Sequence, residues 1–164
     1  MVEPVLMENI DKIVGGVANS LLSNEEAKSI VDRTKLSPPR ALNLFKSWYQ
    51  SIFRGKYDRE HVLSMFKIGL AHAKVGVPER LMIMNMGAFI RETMEILSAS
   101  NATGEIYVSV AKSLIWNLTI MVQSYYEARM AALNEAPGLS KKILERLIKT
   151  SAAQIYNSFK EKIE

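Results

Sequence analysis

Apolar positions recur every three to four residues along nearly the whole chain, and nothing alternates at period two over a useful length, so the pattern predicts helices and no strands. A first helix from near Asn9 or Asp11 carries Ile13, Val14, Val17, Leu21 and Leu22 on one side. Gly15-Gly16 in its middle costs about 1 kcal/mol per glycine relative to alanine, so the pair is expected where another helix or a ligand comes close. Ser23-Asn24-Glu25-Glu26 opens a short helix to about Asp32, with acids in the first turn, where the helix dipole favours them. Leu36-Ser37-Pro38-Pro39 gives a serine cap with proline at the first helical position. The helix behind it presents Ala41, Leu44, Phe45, Trp48, Ile52 and Phe53 and stops at Gly55.

Asp58 caps the next helix, whose apolar face runs through Val62, Met65, Phe66, Ile68 and Gly69 to His72 and Val75. Gly76-Val77-Pro78 ends it, and Pro78 opens a helix to about Ala99 with Leu81, Met82, Met86, Phe89, Ile90, Met94 and Leu97 inward. After a loop over 98–104 the longest helix covers roughly Glu105 to Asn134, with Val108, Leu114, Ile115, Leu118, Met121, Val122 and Tyr125 in its apolar set. Ala136-Pro137-Gly138 breaks the pattern, and Ser140 caps a final helix bearing Ile143, Leu144, Leu147, Ile148, Ile155, Tyr156 and Phe159. The expectation is an all-α chain of about seven helices with short connections.

Composition narrows this picture. At 164 residues the chain suits one domain, with a core region over about 9–135 and an additional C-terminal helix over 139–164. Its hydrophobic and charged fractions, 48% and 23%, are those of an ordinary soluble globule. Charge interrupts the apolar runs well short of a membrane span, and the N-terminus lacks a secretory pattern, so a cytoplasmic protein with no membrane span is expected. The net charge of +4 comes from basic residues interleaved with acids, which argues for solubility and against a nucleic-acid partner. With no cysteines, disulfides, thiolate metal sites and cysteine nucleophiles are excluded.

Two histidines leave little room for a multi-histidine centre. His61 and His72 share a helical face but lie roughly 16 Å apart by helical rise, too far to hold one metal. No phosphate loop, His-x-x-x-His pair or nucleophilic triad is present. His72 has Met65, Ile68, Gly69, Val75 and Gly76 as helical neighbours, an imidazole on an apolar face beside two positions without side chains. One reading is a core histidine bonded to a nearby carbonyl. The other is an axial ligand for tetrapyrrole iron, which needs a neutral imidazole nitrogen, a dry pocket and a helix that fixes the ring. Methionines close by, Met65, Met82, Met84 and Met86, suit an irregular apolar cavity as well as a plain core.

Two blocks resemble a known family. Trp48-Tyr49-Gln50-Ser51-Ile52-Phe53-Arg54-Gly55-Lys56-Tyr57-Asp58, followed by Ile68-Gly69-Leu70-Ala71-His72-Ala73-Lys74-Val75-Gly76-Val77-Pro78, is similar to the sensor globins, the haem domains of globin-coupled sensors and their protoglobin relatives. The stretch from Ala111 through Tyr125 is similar to that family's long closing helix. The resemblance implies a globin-like helical sandwich with a shortened or absent N-terminal helix and an extra C-terminal helix. It places His72 on the proximal iron ligand of haem b or a related iron porphyrin. It further implies that Leu44, Phe45 and Trp48 face the distal side with Val17, Ala18 and Leu21. Met65, Ile68, Met82, Met86 and Leu118 then flank the ring, and Lys67, Lys74 and Arg80 are the cations for its propionates.

Several positions depart from the family pattern. Val17-Ala18 stands where the family has Phe-Tyr, the tyrosine being its distal hydrogen-bond donor, which implies an apolar distal pocket. Leu81-Met82 replaces Trp-Tyr, and His61 replaces a second tyrosine, which implies a roomier one. The function implied is binding or sensing of a diatomic gas, O2, CO or NO, without enzymatic activity, in a homodimer formed through the C-terminal helices. Porphyrin storage or delivery, and a cofactor-free interaction module on the globin scaffold, remain as alternatives.

Overall fold

The computed structural model describes residues 2–135 and 140–163, with side chains to residue 157. Among the described residues there are eight α-helices and no strand: α1 (Glu3–Glu8), α2 (Ile10–Leu22), α3 (Glu25–Thr34), α4 (Pro38–Arg54), α5 (Arg59–Lys74), α6 (Glu79–Ala99), α7 (Gly104–Asn134) and α8 (Lys141–Ile163). The expected Ala136-Pro137-Gly138 break and the side chain of Phe159 lie outside the described residues. The chain divides into two compact units, Met1–Tyr125 and Tyr126–Glu164, with the boundary inside α7.

The helix starts follow the local chemistry. Asn24 Oδ1 accepts from the Ala27 amide at 3.0 Å, with Glu25 and Glu26 in the first turn of α3. Asp58 Oδ1 accepts from the His61 amide at 3.0 Å and starts α5. Ser37 precedes the two prolines of α4 without a side-chain cap bond, so here proline's fixed φ is the start signal. The element that periodicity misses is α1, six residues long with Pro4 in its first turn, and its Leu6 is fully buried.

In the first unit α6 is the central helix. It packs most extensively on α2, and α1 also lies against it. Leu6, Ile13, Val14 and Val17 from the N-terminal helices meet Met82, Met86, Phe89 and Leu97 of α6 in one core with Tyr49, Ile52, Met65, Leu114 and Met121. Each fully buried aliphatic or aromatic side chain contributes about 1.5–3 kcal/mol. Phe89 anchors an aromatic cluster, with ring centroids 5.6 Å from Phe45, 4.8 Å from Trp48 and 5.9 Å from Tyr49. Tyr49 donates to Thr93 Oγ1 at 2.8 Å, and the Thr93 hydroxyl in turn donates to the Phe89 carbonyl at 2.6 Å. Burial holds the Tyr49 phenol well above the ordinary tyrosine range.

Of the two glycines in α2, Gly16 is the close approach, since a Cβ there would overlap the Glu92 carboxylate of α6, whereas Gly15 has nothing within 4 Å. A tighter contact joins α5 to α7: a Cβ on Gly69 would overlap the Ser124 hydroxyl and the Met121 carbonyl oxygen. By length and composition α7 is the one helix among the described residues long and apolar enough to cross a membrane. Its inward face nevertheless carries buried Asn117 and Ser124 beside Leu114, Met121 and Tyr125.

The end of α5 is a Schellman turn. Gly76 adopts φ +76°, its amide donates to the Ala73 carbonyl at 3.0 Å, and the Val77 amide donates to the carbonyl of His72 at 3.0 Å. Tyr125 Oη donates to the Val77 carbonyl at 3.0 Å and ties this turn to α7. Gly76→Ala should therefore lower stability by about 1 kcal/mol, because only glycine takes this conformation at no steric cost. Urea unfolding of the two proteins side by side is the check, and equal midpoints would contradict the turn.

In the second unit Met130 and Leu144 are buried, while Ile143, Leu147, Ile148, Ile155 and Tyr156 of α8 are exposed. The Ile143 amide donates a long cap bond, 3.4 Å, to Ser140 Oγ.

Candidate functional site

A cavity of about 260 Å³ is enclosed by α4, α5 and α6. From α4 it is lined by Ala41, Leu44, Phe45 and Trp48, one stripe at the three-and-four spacing. Ile68, Ala71 and His72 line it from α5, and Met82, Asn85, Met86 and Phe89 from α6, while Leu36 and Met121 complete it. Leu44 and Ala71 are exposed, so the cavity opens to solvent along that rim. Its enclosed volume lies just below the ~300–1,000 Å³ usual for ligand pockets.

His72 is half-buried, and its Nδ1 lies 2.8 Å from the Ile68 carbonyl oxygen one turn back. A carbonyl only accepts, so Nδ1 carries the proton and a neutral imidazole has its lone pair on Nε2. The bond also fixes the ring's orientation, the arrangement that prepares a histidine for metal ligation. Among the described residues no group of three His, Asp or Glu side chains could hold a bare metal ion. One imidazole suits a metal that brings its other ligands with it, as iron in a porphyrin does.

Two side chains of the lining, Trp48 and Asn85, each have a polar atom buried without a partner, Nε1 and Oδ1. Buried polar groups are nearly always paired, and leaving one unpaired costs about 1–3 kcal/mol. With the Nε2 lone pair and the apolar lining, the residues present fit a flat, largely apolar metal complex with one open axial position.

The protoglobin family model matches residues 1–131. The chain belongs to the protoglobin family. Nothing matches it among the curated proteins or among the solved structures.

Seven of the residues singled out in the sequence come together in this protoglobin's cavity: Leu44, Phe45, Trp48, Ile68, His72, Met82 and Met86. Val17, Ala18, Leu21, Met65 and Leu118 do not line it. Val17 is fully buried in the core because the Ile13, Val14 and Val17 stripe of α2 packs on α6, while Ala18 and Leu21 are half-buried beside it. Met65 and Leu118 belong to the same core, and Met121, nearly a turn beyond Leu118, is the residue through which α7 reaches the cavity.

Of the expected cations, Lys67 and Lys74 are exposed, and Arg80 Nη2 is 2.5 Å from Glu26 Oε1. The lining is predominantly apolar, with Asn85 and His72 as its hydrogen-bonding side chains besides the Trp48 indole. Asn85 was legible as the polar residue three positions after Met82 on an otherwise apolar face; Ala41 and Phe89 lay on stripes already identified. Leu36 and Ala71 carried no comparable signal.

His61 has a separate, structural place. It is buried, its Nε2–H donates to Asn117 Oδ1 at 2.7 Å, and Asn117 Nδ2 donates to Tyr57 Oη at 3.1 Å and to the Ser113 carbonyl at 2.8 Å. Tyr57 stacks on His61 at 4.7 Å. This network ties the start of α5 to α7 and leaves His72 as the cavity's only imidazole.

Proposed function

We propose that this protoglobin binds haem b or a closely related iron porphyrin, whose iron His72 Nε2 would hold, and that it binds or senses a diatomic gas, O2, CO or NO. The observation that carries this reading is the His72 bond to the Ile68 carbonyl at 2.8 Å, which leaves the Nε2 lone pair free in a cavity with apolar walls. The iron supplies reversible gas binding. The protein's part is to hold the imidazole oriented, to exclude water with Leu44, Phe45, Met82, Met86 and Phe89, and to pair the porphyrin's carboxylates with cations. Lys74 is exposed for that role, and Arg80 would exchange Glu26 for a carboxylate. Binding, and not turnover, suits a lining without an acid or base besides His72. We further propose a cytoplasmic homodimer formed through the C-terminal helices, supported by the exposed Ile143, Leu147, Ile148 and Ile155 of α8.

Titration of the purified protein with haem tests this. A Soret band should grow to saturation at one haem per chain. At 100 times Kd, binding adds about 2.7 kcal/mol, which raises Tm by roughly 5–10 °C for a chain of this size. A colourless protein with unchanged Tm would overturn the reading.

A further inference from the structure

The cavity is smaller than the group proposed for it. Its volume of about 260 Å³ falls short of the ~300 Å³ at which pockets for drug-sized ligands begin, and a porphyrin is larger, so a wall moves when one enters. The walls differ in how firmly they are held. Tyr49 and Ile52 are buried on α4, His61, Met65 and Gly69 on α5, and eight residues on α6, whereas α3 buries Ala27 alone. The chain leaves α3 through Lys35, at φ +53°, and places Leu36 in the cavity wall. A segment with so few buried apolar contacts opens at the least cost in free energy.

Besides its packing on α2, α3 is tied by two polar bonds, and both lead to the chain just after His72. Arg33 Nη2 donates to the Val75 carbonyl at 3.2 Å, and Glu26 pairs with Arg80 at 2.5 Å. The Arg80 and Glu26 side chains are 65% and 45% exposed, and ion pairs in water are weak enough to be exchanged.

We propose that α3 and Leu36 form a latched cover over the porphyrin site, and that an incoming porphyrin carboxylate opens the latch by displacing Glu26 from Arg80. This rests on the haem reading above. Arg80 holds either carboxylate, and when it takes the porphyrin's, one of the two ties on α3 is released, so the guest's charge clears the way for its apolar ring. The Arg33 bond to a backbone carbonyl has no such competitor and returns the cover to the turn after His72. A porphyrin without free carboxylates leaves Glu26 on Arg80, so the cover selects acidic porphyrins by their rate of entry.

The test follows uptake of haem and of haem dimethyl ester by the full chain, through growth of the Soret band. The unaltered protein should take up haem about fivefold faster than the ester, the effect of one exposed ion pair. Glu26→Gln should admit both at the faster rate, and Arg33→Gln should speed both by about fivefold. Arg54→Gln, which breaks an exposed ion pair between α4 and α1, should change neither. Hydrogen exchange of the protein without haem reads the latch independently: α3 amides should exchange faster in the double variant Glu26→Gln/Arg33→Gln, with those of α5 and α6 unchanged. Equal uptake of haem and ester by the unaltered protein, unchanged uptake in both α3 variants, or equal acceleration in Arg54→Gln overturns the cover, while a Soret band at saturation leaves the haem reading standing. Absence of a Soret band in the unaltered protein removes the haem reading and the cover together.

Discussion

His72→Gly should lose haem affinity by about 100-fold or more, since even second-sphere changes at metal sites cost 10–100-fold, and imidazole added to the solution should restore the Soret band. The expectation follows from the site's single nitrogen donor. The other histidine is buried and bonded to Asn117, at the opposite end of α5. His72 is in the last turn of α5, where glycine costs about 1 kcal/mol or less, so the apoprotein should still fold. The turn after it persists because the Val77 amide bonds to the backbone carbonyl of residue 72, which the substitution keeps. Haem titrations of both proteins, with and without imidazole, decide the matter. Equal affinities and identical spectra would remove His72 from the iron.

The largest loss of stability is expected at Gly69→Val. The added Cβ would overlap Ser124 Oγ and the Met121 carbonyl oxygen, and the second of these is backbone of α7, which cannot turn aside as a side chain can. Relief requires α5 to move away from α7. Overpacking of this kind costs about 3 kcal/mol, or roughly 6–12 °C in Tm. Because Gly69 is one turn before His72 and adjacent to the Ile68 carbonyl that orients its ring, haem affinity should fall with stability. Gly87→Ala on α6, where nothing lies within 4 Å, is the control and should be neutral or stabilising. Calorimetry on both variants is the measurement, and equal Tm values would contradict the α5–α7 contact.

Helices α3 to α6 were legible because each begins on a residue with a local reason to be there, Asn24, Pro38, Asp58 and Pro78, and α5 also ends on one, Gly76. The short α1 was not, since six residues give too little period to read, and its stability comes from Leu6 in the tertiary core and the Arg54–Glu3 ion pair at 2.6 Å. Periodicity also places residues on one stripe without saying which neighbour claims each edge of it. On α4 the aromatic stripe was right, but it is rotated in the fold: Tyr49 is fully buried, and Leu44, at the cavity rim, is 54% exposed. The same ambiguity moved Val17 from cavity to core. At the site, spacing alone left two readings of His72 and the family resemblance chose between them, whereas Asn85 joins Trp48 in one lining only when α4 and α6 pack.

The central claim is that His72 Nε2 binds the iron of a haem held between α4, α5 and α6. Resonance Raman spectroscopy of the reduced, ligand-free, haem-loaded protein tests it most directly, through the iron–histidine stretch. The account predicts this band in the unaltered protein and in His61→Gln, a shift when histidine nitrogen is isotopically labelled, and its loss in His72→Gly. A band absent from the unaltered protein, or one that survives His72→Gly, would contradict it.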